Sequence, residues 1–342
     1  MKTVYLDNNA TTRVAPEVLE AMLPYFSDLY GNPSSMHAFG GQVAKRLREA
    51  REQAAALIGA SPDEIIFTSC GTESDNAALR SALAAHPEKR HIVTSRVEHP
   101  AVKALAAHLA ERGYRITELP VDKNGLLDLS LYEESLAPDT AVVSLMWANN
   151  ETGVIFPVEK AAELARERGI PFHTDAVQAT GKIPIDMRKT AIDMLSFSGH
   201  KLHAPKGIGV LYVRKGTRFS PLLIGGHQEK GRRGGTENTP SIIGLGKACE
   251  LASGHLDTEN KTVRRLRDRL ETTLLAKIPN ARVNGDRDQR LPNTTNISFE
   301  FVEGEGILLL RNEYGICASS GSACTSGSLQ PSHVLRAMGV PF

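Results

Sequence analysis

Short, continuously apolar runs alternate along this chain with longer stretches whose apolar positions recur every three or four residues. Six runs read as buried strands: Glu64-IIFTS, His91-IVTS, Ala141-VVSLMW, Pro171-FHTDA, Asp193-MLSFS and Gly209-VLYVR. They are too short for buried helices and are rich in valine, isoleucine and phenylalanine. Between them, Glu73-SDNAALRSALAAH, Ala101-VKALAAHLAERG and Pro157-VEKAAELARERG carry helical spacing, the last two closing on a glycine. Strand and helix in turn predict an α/β fold with a mostly parallel sheet covered by helices. Ligands of such sheets bind beyond the carboxyl ends of the strands, so the residue after each strand is the one to question.

A long helical stretch from Ser241 to about Lys277 leads into a different texture. Strand-like Thr294-TNISFEF, helix-like Gly304-EGILLLRNEYG and the Ser/Gly-rich Ala318-SSGSACTSGSLQPS suggest a second, smaller α+β unit. The expected division is a large domain over residues 15–255, with residues 1–14 and 256–342 forming the small one. With 40 Lys plus Arg against 39 Asp plus Glu the net charge is +1, so no basic stripe points to nucleic acid. No apolar run approaches a bilayer's thickness and the N-terminus has no signal core, which together predict a cytoplasmic protein without a membrane partner. Cys70, Cys249, Cys317 and Cys324 show no CxxC spacing, which argues against a zinc ribbon or a thioredoxin-type pair. Cys249 and Cys317 read as packed thiols.

The strand ends carry chemistry. After the first run, Cys70-GTES opens a helix with Gly71 and Thr72, a ready anion site and equally a plain N-cap. His99 precedes Pro100 after the second run, and Asn149 and Asn150 follow the third. Asp175 closes the fourth, with Gln178 three residues on; the fifth ends in Ser198-GHKLHAPKG, with Gly199, His200 and Lys201. Each has a structural reading by itself. Together they place an anion site, an acid, an imidazole, amides and a lysine around one crevice, an inventory that suits pyridoxal phosphate. In that reading Lys201 forms a Schiff base, and His200 and His203 act as neighbouring cations that lower its pKa.

The motifs YLDNNATT, GNPSSMHAFG, FTSCGTESDN, VEHPAV, WANNETG, HTDAVQ, SGHKLHAPKG, GGHQEKGRRGGTEN and SSGSACTSGSL run in order over essentially the whole chain. In these the chain resembles the cysteine desulfurases, fold-type I pyridoxal-phosphate enzymes, and their nitrogen-fixation (NifS) branch in particular. The resemblance implies a mostly parallel seven-stranded sheet with a smaller α+β domain. It implies that Lys201 holds the cofactor and shuttles protons, and that His99 stacks on the ring and assists acid-base steps. Asp175 would pair with the pyridine nitrogen and Gln178 with the ring hydroxyl, and Asn150 would lie near ring and substrate. Gly71, Thr72, Ser198, Gly199 and His200 would hold the phosphate, with Thr236 reaching the phosphate of the other subunit of a homodimer.

The same resemblance makes Cys324 the nucleophile that takes sulfur from L-cysteine as a persulfide, releasing alanine. The sulfur would pass to an iron-sulfur scaffold protein of the NifU/IscU kind, with Cys324 a possible transient iron-sulfur ligand through its persulfide. A related selenocysteine lyase or another fold-type I enzyme is the alternative within the fold. Family members continue past the equivalent of Arg336-AMGVPF with a strand bearing an arginine for the substrate carboxylate. The sequence is therefore expected to be a fragment of a longer product, or else a weakly active form that dimerises and docks a scaffold. A Cys317–Cys324 disulfide under oxidation is a further expectation.

Overall fold

The computed structural model describes residues 3–320 and 332–341. Among the described residues the strands are β1 (Val4–Tyr5), β2 (Ile65–Thr68), β3 (His91–Ser95), β4 (Arg115–Leu119), β5 (Thr140–Ser144), β6 (Phe172–Asp175), β7 (Met194–Ser198), β8 (Gly209–Val213), β9 (Ala281–Val283), β10 (Ile297–Phe299) and β11 (Ile316–Cys317). Seven of them form one sheet in the order β2-β8-β7-β6-β5-β3-β4. Only β8 runs against its neighbours, between β2 and β7. Its first residue, Gly209, pairs with both Thr68 and Ser198, so it starts at the end where the other strands finish.

The six strands read from apolar runs are all present, and every residue of β2, β3, β5, β6, β7 and β8 is buried. Such strands are sandwiched by apolar side chains on both faces. Val143, Phe172, Leu195 and Phe197 pack on one face, and Ile66, Ile92, Val142 and Leu211 on the other. The seventh strand, β4, belongs to none of those runs: in Arg-Ile-Thr-Glu-Leu at the sheet edge Arg115 and Glu118 are exposed and only Leu119 is buried. Charged residues on an edge strand discourage pairing with another chain.

The helices Gly71–Ala85, Pro100–Ala110 and Val158–Glu167 follow β2, β3 and β5 as the spacing predicts. Gly113 and Gly169 close the latter two with φ of +84° and +64°, the left-handed conformation that glycine adopts without strain. A helix over Ala38–Leu57 packs on Thr239–Thr258. The long stretch after Ser241 is continuous but not uniform. Helix Thr239–Thr258 passes through a π-turn at Glu259–Val263 into helix Arg264–Lys277.

Beyond it β9 and β10 pair antiparallel, and β11 pairs in parallel with β1, joining the N-terminal strand to this C-terminal region. Glu271 ties this region to the rest. It is 2% exposed, accepts from Arg290 Nη1 at 2.7 Å and from Thr295 Oγ1 at 2.5 Å, and is held by Arg287 as well. Among the described residues no helix is long and apolar enough to cross a membrane.

Candidate active site

β6 ends on Asp175, which is 5% exposed and accepts from Val177 N at 2.9 Å. Burial raises its pKa, against the pull of His99, the Val177 N–H and the Lys201 charge. His99 lies beyond β3 and caps helix Pro100–Ala110, its Nδ1 accepting from Ala101 N at 3.2 Å. Burial lowers its pKa, with Asp175 opposing and the Lys201 charge assisting. Acid, imidazole and lysine thus share one electrostatic neighbourhood, although 26 residues of sequence or more separate each from the next.

Lys201 ends a short 3-10 turn, Gly199–Lys201, that starts directly after β7. Its Nζ donates to the carbonyl of Asn9 and, at 2.8 Å, to that of Ala10. Gln178 Nε2 donates to the same Asn9 carbonyl at 3.0 Å. The Asn9 side chain donates to the Asn150 carbonyl at 3.1 Å and to Thr294 Oγ1 at 3.0 Å. One residue of the N-terminal segment therefore gathers Lys201, Gln178 and Asn150. Asn149, by contrast, is spent on its own turn: it is buried, donates to Val97 O and accepts from the Glu151 and Thr152 N–H groups.

His200 corrects one expectation. Burial, and then the charges of Lys201 and Lys206, lower its pKa to about 4, so it is neutral at pH 7 and cannot serve as the cation that depresses Lys201. Its Nδ1 meets Thr11 Oγ1 at 3.1 Å and its carbonyl accepts from Thr12 N and Oγ1. His203 is exposed, with Nδ1 3.0 Å from the Arg13 carbonyl. The N-terminal segment Asn9–Arg13 is thus the roof over this turn.

The candidate anion site lies where β2 and β7 finish. Gly71 and Thr72 open the helix after β2, and Cys70 caps it, its sulfur accepting from Glu73 N at 3.5 Å. A Cβ on Gly71 would lie 2.9 Å from Val177 Cγ2 and 3.6 Å from Ser198 Cβ, so glycine keeps open the space between helix start and strand end. Ser198 is 3% exposed, and its Oγ has no hydrogen-bond partner. A buried hydroxyl without a partner is costly, and beside a helix N-terminus it suits a phosphate oxygen. Gly199 is packed against Ile208, Ala204 and Leu245, which fixes the turn that presents His200 and Lys201. These groups fit pyridoxal phosphate.

Thr236 stands apart. It is exposed and lines a cavity of about 200 Å³ with Thr68, Ser69, Gly207 and Arg233. Cys324 lies outside the described residues, and with it the Cys317–Cys324 pairing. Cys317 is half-buried on β11, and Cys249 is fully buried, which pushes its thiol pKa up. Among the described residues no His, Cys, Asp or Glu group is arranged to hold a metal ion.

Three further polar residues escaped the sequence reading. Asp75 and Glu98 are buried within electrostatic reach of Asp175, each with one oxygen that accepts no hydrogen bond, that of Asp75 lying 3.5 Å from His173 Nε2, and burial raises the pKa of both, Glu98 to about 8. The third is Asn9. Its signal lay in the Asn8-Asn9 pair of the YLDNNATT motif, to which no role was given.

The aminotransferase class-V family matches residues 4–340. A cysteine desulfurase of Trichormus azollae is 65% identical over all of this chain and 86% of its own length. The cysteine desulfurase NifS of Azotobacter vinelandii is 62% identical over all of this chain and 85% of its own. Among solved structures, a NifS-like protein superposes with a TM-score of 0.93 at 40% identity, covering 99% of this chain and 90% of that one. The chain belongs to the aminotransferase class-V family and, within it, to the pyridoxal-phosphate-dependent cysteine desulfurases, whose general role is to supply sulfur for iron-sulfur clusters.

Proposed function

We propose that this site removes the sulfur of L-cysteine with pyridoxal phosphate seated across the ends of β2, β6 and β7. The observation that carries the reading is the convergence of Lys201, Asp175 and His99 beside the unpartnered Ser198 hydroxyl and the Gly71 helix start. Gly71, Thr72, Ser198, Gly199 and His200 would take the phosphate, Asp175 the pyridine nitrogen and Gln178 the ring hydroxyl. His99 would lie against the ring, and Asn150 near ring and substrate. When bound, the cofactor supplies an electron sink next to the substrate amine.

Lys201 carries the cofactor and moves protons at its Nζ. Its Nζ is held by the carbonyls of Asn9 and Ala10, so it must leave them to act as a nucleophile. His99 is suited to proton transfer because burial favours its neutral form while Asp175 pulls the other way and Lys201 lies near. The thiolate of Cys324 takes the substrate sulfur: an S–S bond forms and the substrate C–S bond breaks. Its electron pair stays on carbon, which leaves as alanine after protonation.

The exposure of Thr236 supports a homodimer in which it reaches the other subunit's phosphate. An iron-sulfur scaffold protein is the sulfur acceptor we favour, with a cytoplasmic setting. Pairing of β1 with β11 and the π-turn at Glu259–Val263 support the division into residues 15–255 and 1–14 plus 256–342. The test is to incubate cofactor-loaded protein with L-cysteine and assay alanine and sulfide. No alanine from parent protein rejects the function, and a Cys324→Ala protein that desulfurates as fast as parent rejects the nucleophile.

A further inference from the structure

The helix that opens at Gly71 carries an oddity for an anion site: Glu73, a carboxylate, stands in its first turn. Glu73 is well placed for the helix itself, because its Oε2 accepts from Ser69 N at 2.7 Å. Beside a phosphate dianion, however, a bare carboxylate is repelled. Arg233 meets that charge. Its Nε donates to Glu73 Oε1 at 2.9 Å and its Nη2 to Oε2 at 3.3 Å, a two-pronged pair with side chains only 24% and 10% exposed. Burial pushes the Glu73 pKa up, but the hydrogen bonds from Arg233 and Ser69 together bring it below its ordinary value, and the bond to Glu73 raises the Arg233 pKa.

Arg233 lies three residues before Thr236, in a loop with little freedom elsewhere. Its neck is closed by Gly234 N donating to Leu223 O at 2.9 Å, where a Cβ on Gly234 would come within 2.7 Å of Gly225 Cα. Its far side is pinned to the strand before the Gly71 helix. Arg51 clamps Glu229 at 2.7 and 2.6 Å, Glu229 accepts from Phe67 N, and Arg232 donates to Ile65 O at 3.1 Å. The loop is therefore braced at two places, along β2 and at the first turn of the cofactor helix. The second brace is the one nearest Thr236, which is itself exposed.

We propose that Glu73 and Arg233 are positioning residues that brace, from a subunit's own cofactor helix, the Thr236 loop it lends to the partner, so that the cofactor affinity of one site depends on the brace in the other subunit. This rests on the reading that Thr236 serves the other subunit's phosphate. A bidentate Arg–carboxylate pair fixes angle as well as distance, which a lysine would not reproduce.

Mixed dimers of differently tagged chains test it. One reporter subunit keeps Lys201; the lending subunit carries Lys201→Ala, so only the reporter yields the visible absorbance of lysine-bound cofactor. Pyridoxal phosphate is titrated into apo mixed dimers whose lending subunit also carries no change, Thr236→Ala, Arg233→Ala, Arg233→Lys or Glu73→Gln. Losing one hydrogen bond to a charged group should raise the dissociation constant of the reporter site about tenfold for Thr236→Ala. Arg233→Ala and Glu73→Gln should follow it, with Arg233→Lys in between. If Thr236→Ala weakens binding while Arg233→Ala and Glu73→Gln stay within about twofold of parent, the brace is wrong and the shared site stands. If Thr236→Ala also changes nothing in intact dimers, the shared site itself fails. Glu73→Gln, nearly isosteric, keeps the test valid should Arg233→Ala weaken the dimer.

Discussion

Replacing Ser198 by alanine should push stability and cofactor affinity in opposite directions. The hydroxyl is 3% exposed, sits at the last position of β7 and has no hydrogen-bond partner. A buried polar group left unsatisfied costs about 1–3 kcal/mol. Alanine removes that group and keeps the Cβ that faces the Gly71 helix start, so the cofactor-free protein should gain stability, at the low end of that range. A gain of about 1 kcal/mol corresponds to a rise in midpoint on the order of 2 °C for a chain of this size. The neighbouring carbonyls and N–H groups keep their partners, because the Ser198 backbone pairs with Gly209 on β8.

The same hydroxyl should be worth more once a phosphate is present, since a hydrogen bond to a charged group contributes about 1.5–3 kcal/mol. Its loss would weaken pyridoxal phosphate binding by roughly tenfold to 150-fold, from a tenfold change per 1.36 kcal/mol. The assay is a pair of measurements on one apo preparation: thermal unfolding without cofactor, then titration with pyridoxal phosphate followed by absorbance. Higher apo stability with weaker binding is the expected pair. An apo protein that melts lower than parent while binding cofactor equally well would show that Ser198 packs the strand end and does nothing for the phosphate.

Other consequences concern residues away from the phosphate. Glu271→Gln removes the charge that faces Arg290, itself 2% exposed, and should cost about 3 kcal/mol in urea unfolding; a loss below about 1 kcal/mol would mean solvent reaches the pair. Glu98 has its pKa raised to about 8 by burial, so the folded state binds its proton more tightly than the unfolded one. Stability contributed by its neutral form should therefore fall as pH rises from about 4.3, its ordinary value, toward 8. Glu98→Gln should flatten that fall, and an unchanged pH slope between parent and variant would contradict it. Cys249, fully buried with its thiol pKa pushed up, should resist iodoacetamide in the folded protein and react only after unfolding, which peptide mapping would show.

The parts of the fold legible in the sequence were those where burial acts on both faces of a strand. In β5 and β7 every side chain is enclosed, so the run is apolar without interruption apart from small hydroxyls. β4 is hidden because an edge strand must carry charge, here Arg115 and Glu118, and a five-residue run with three polar members looks like a loop. Helix Ala38–Leu57 was unremarked because its buried stripe of Val43, Leu47, Ala50 and Ala54 is half alanine, set among arginines and glutamates. The candidate site divides the same way. Lys201, Asp175 and His99 stand out because each sits at or just past the end of a strand, and topology alone brings strand ends together. Asn9 does not, for its contribution to Lys201 and Gln178 is a backbone carbonyl, which every residue has. His200 shows the remaining gap: its position was readable, but its charge depends on how much water reaches the ring. Closed under Thr11 and beside Lys201, the ring is largely shut off from water, and that burial, more than the neighbouring charges, lowers its pKa to about 4.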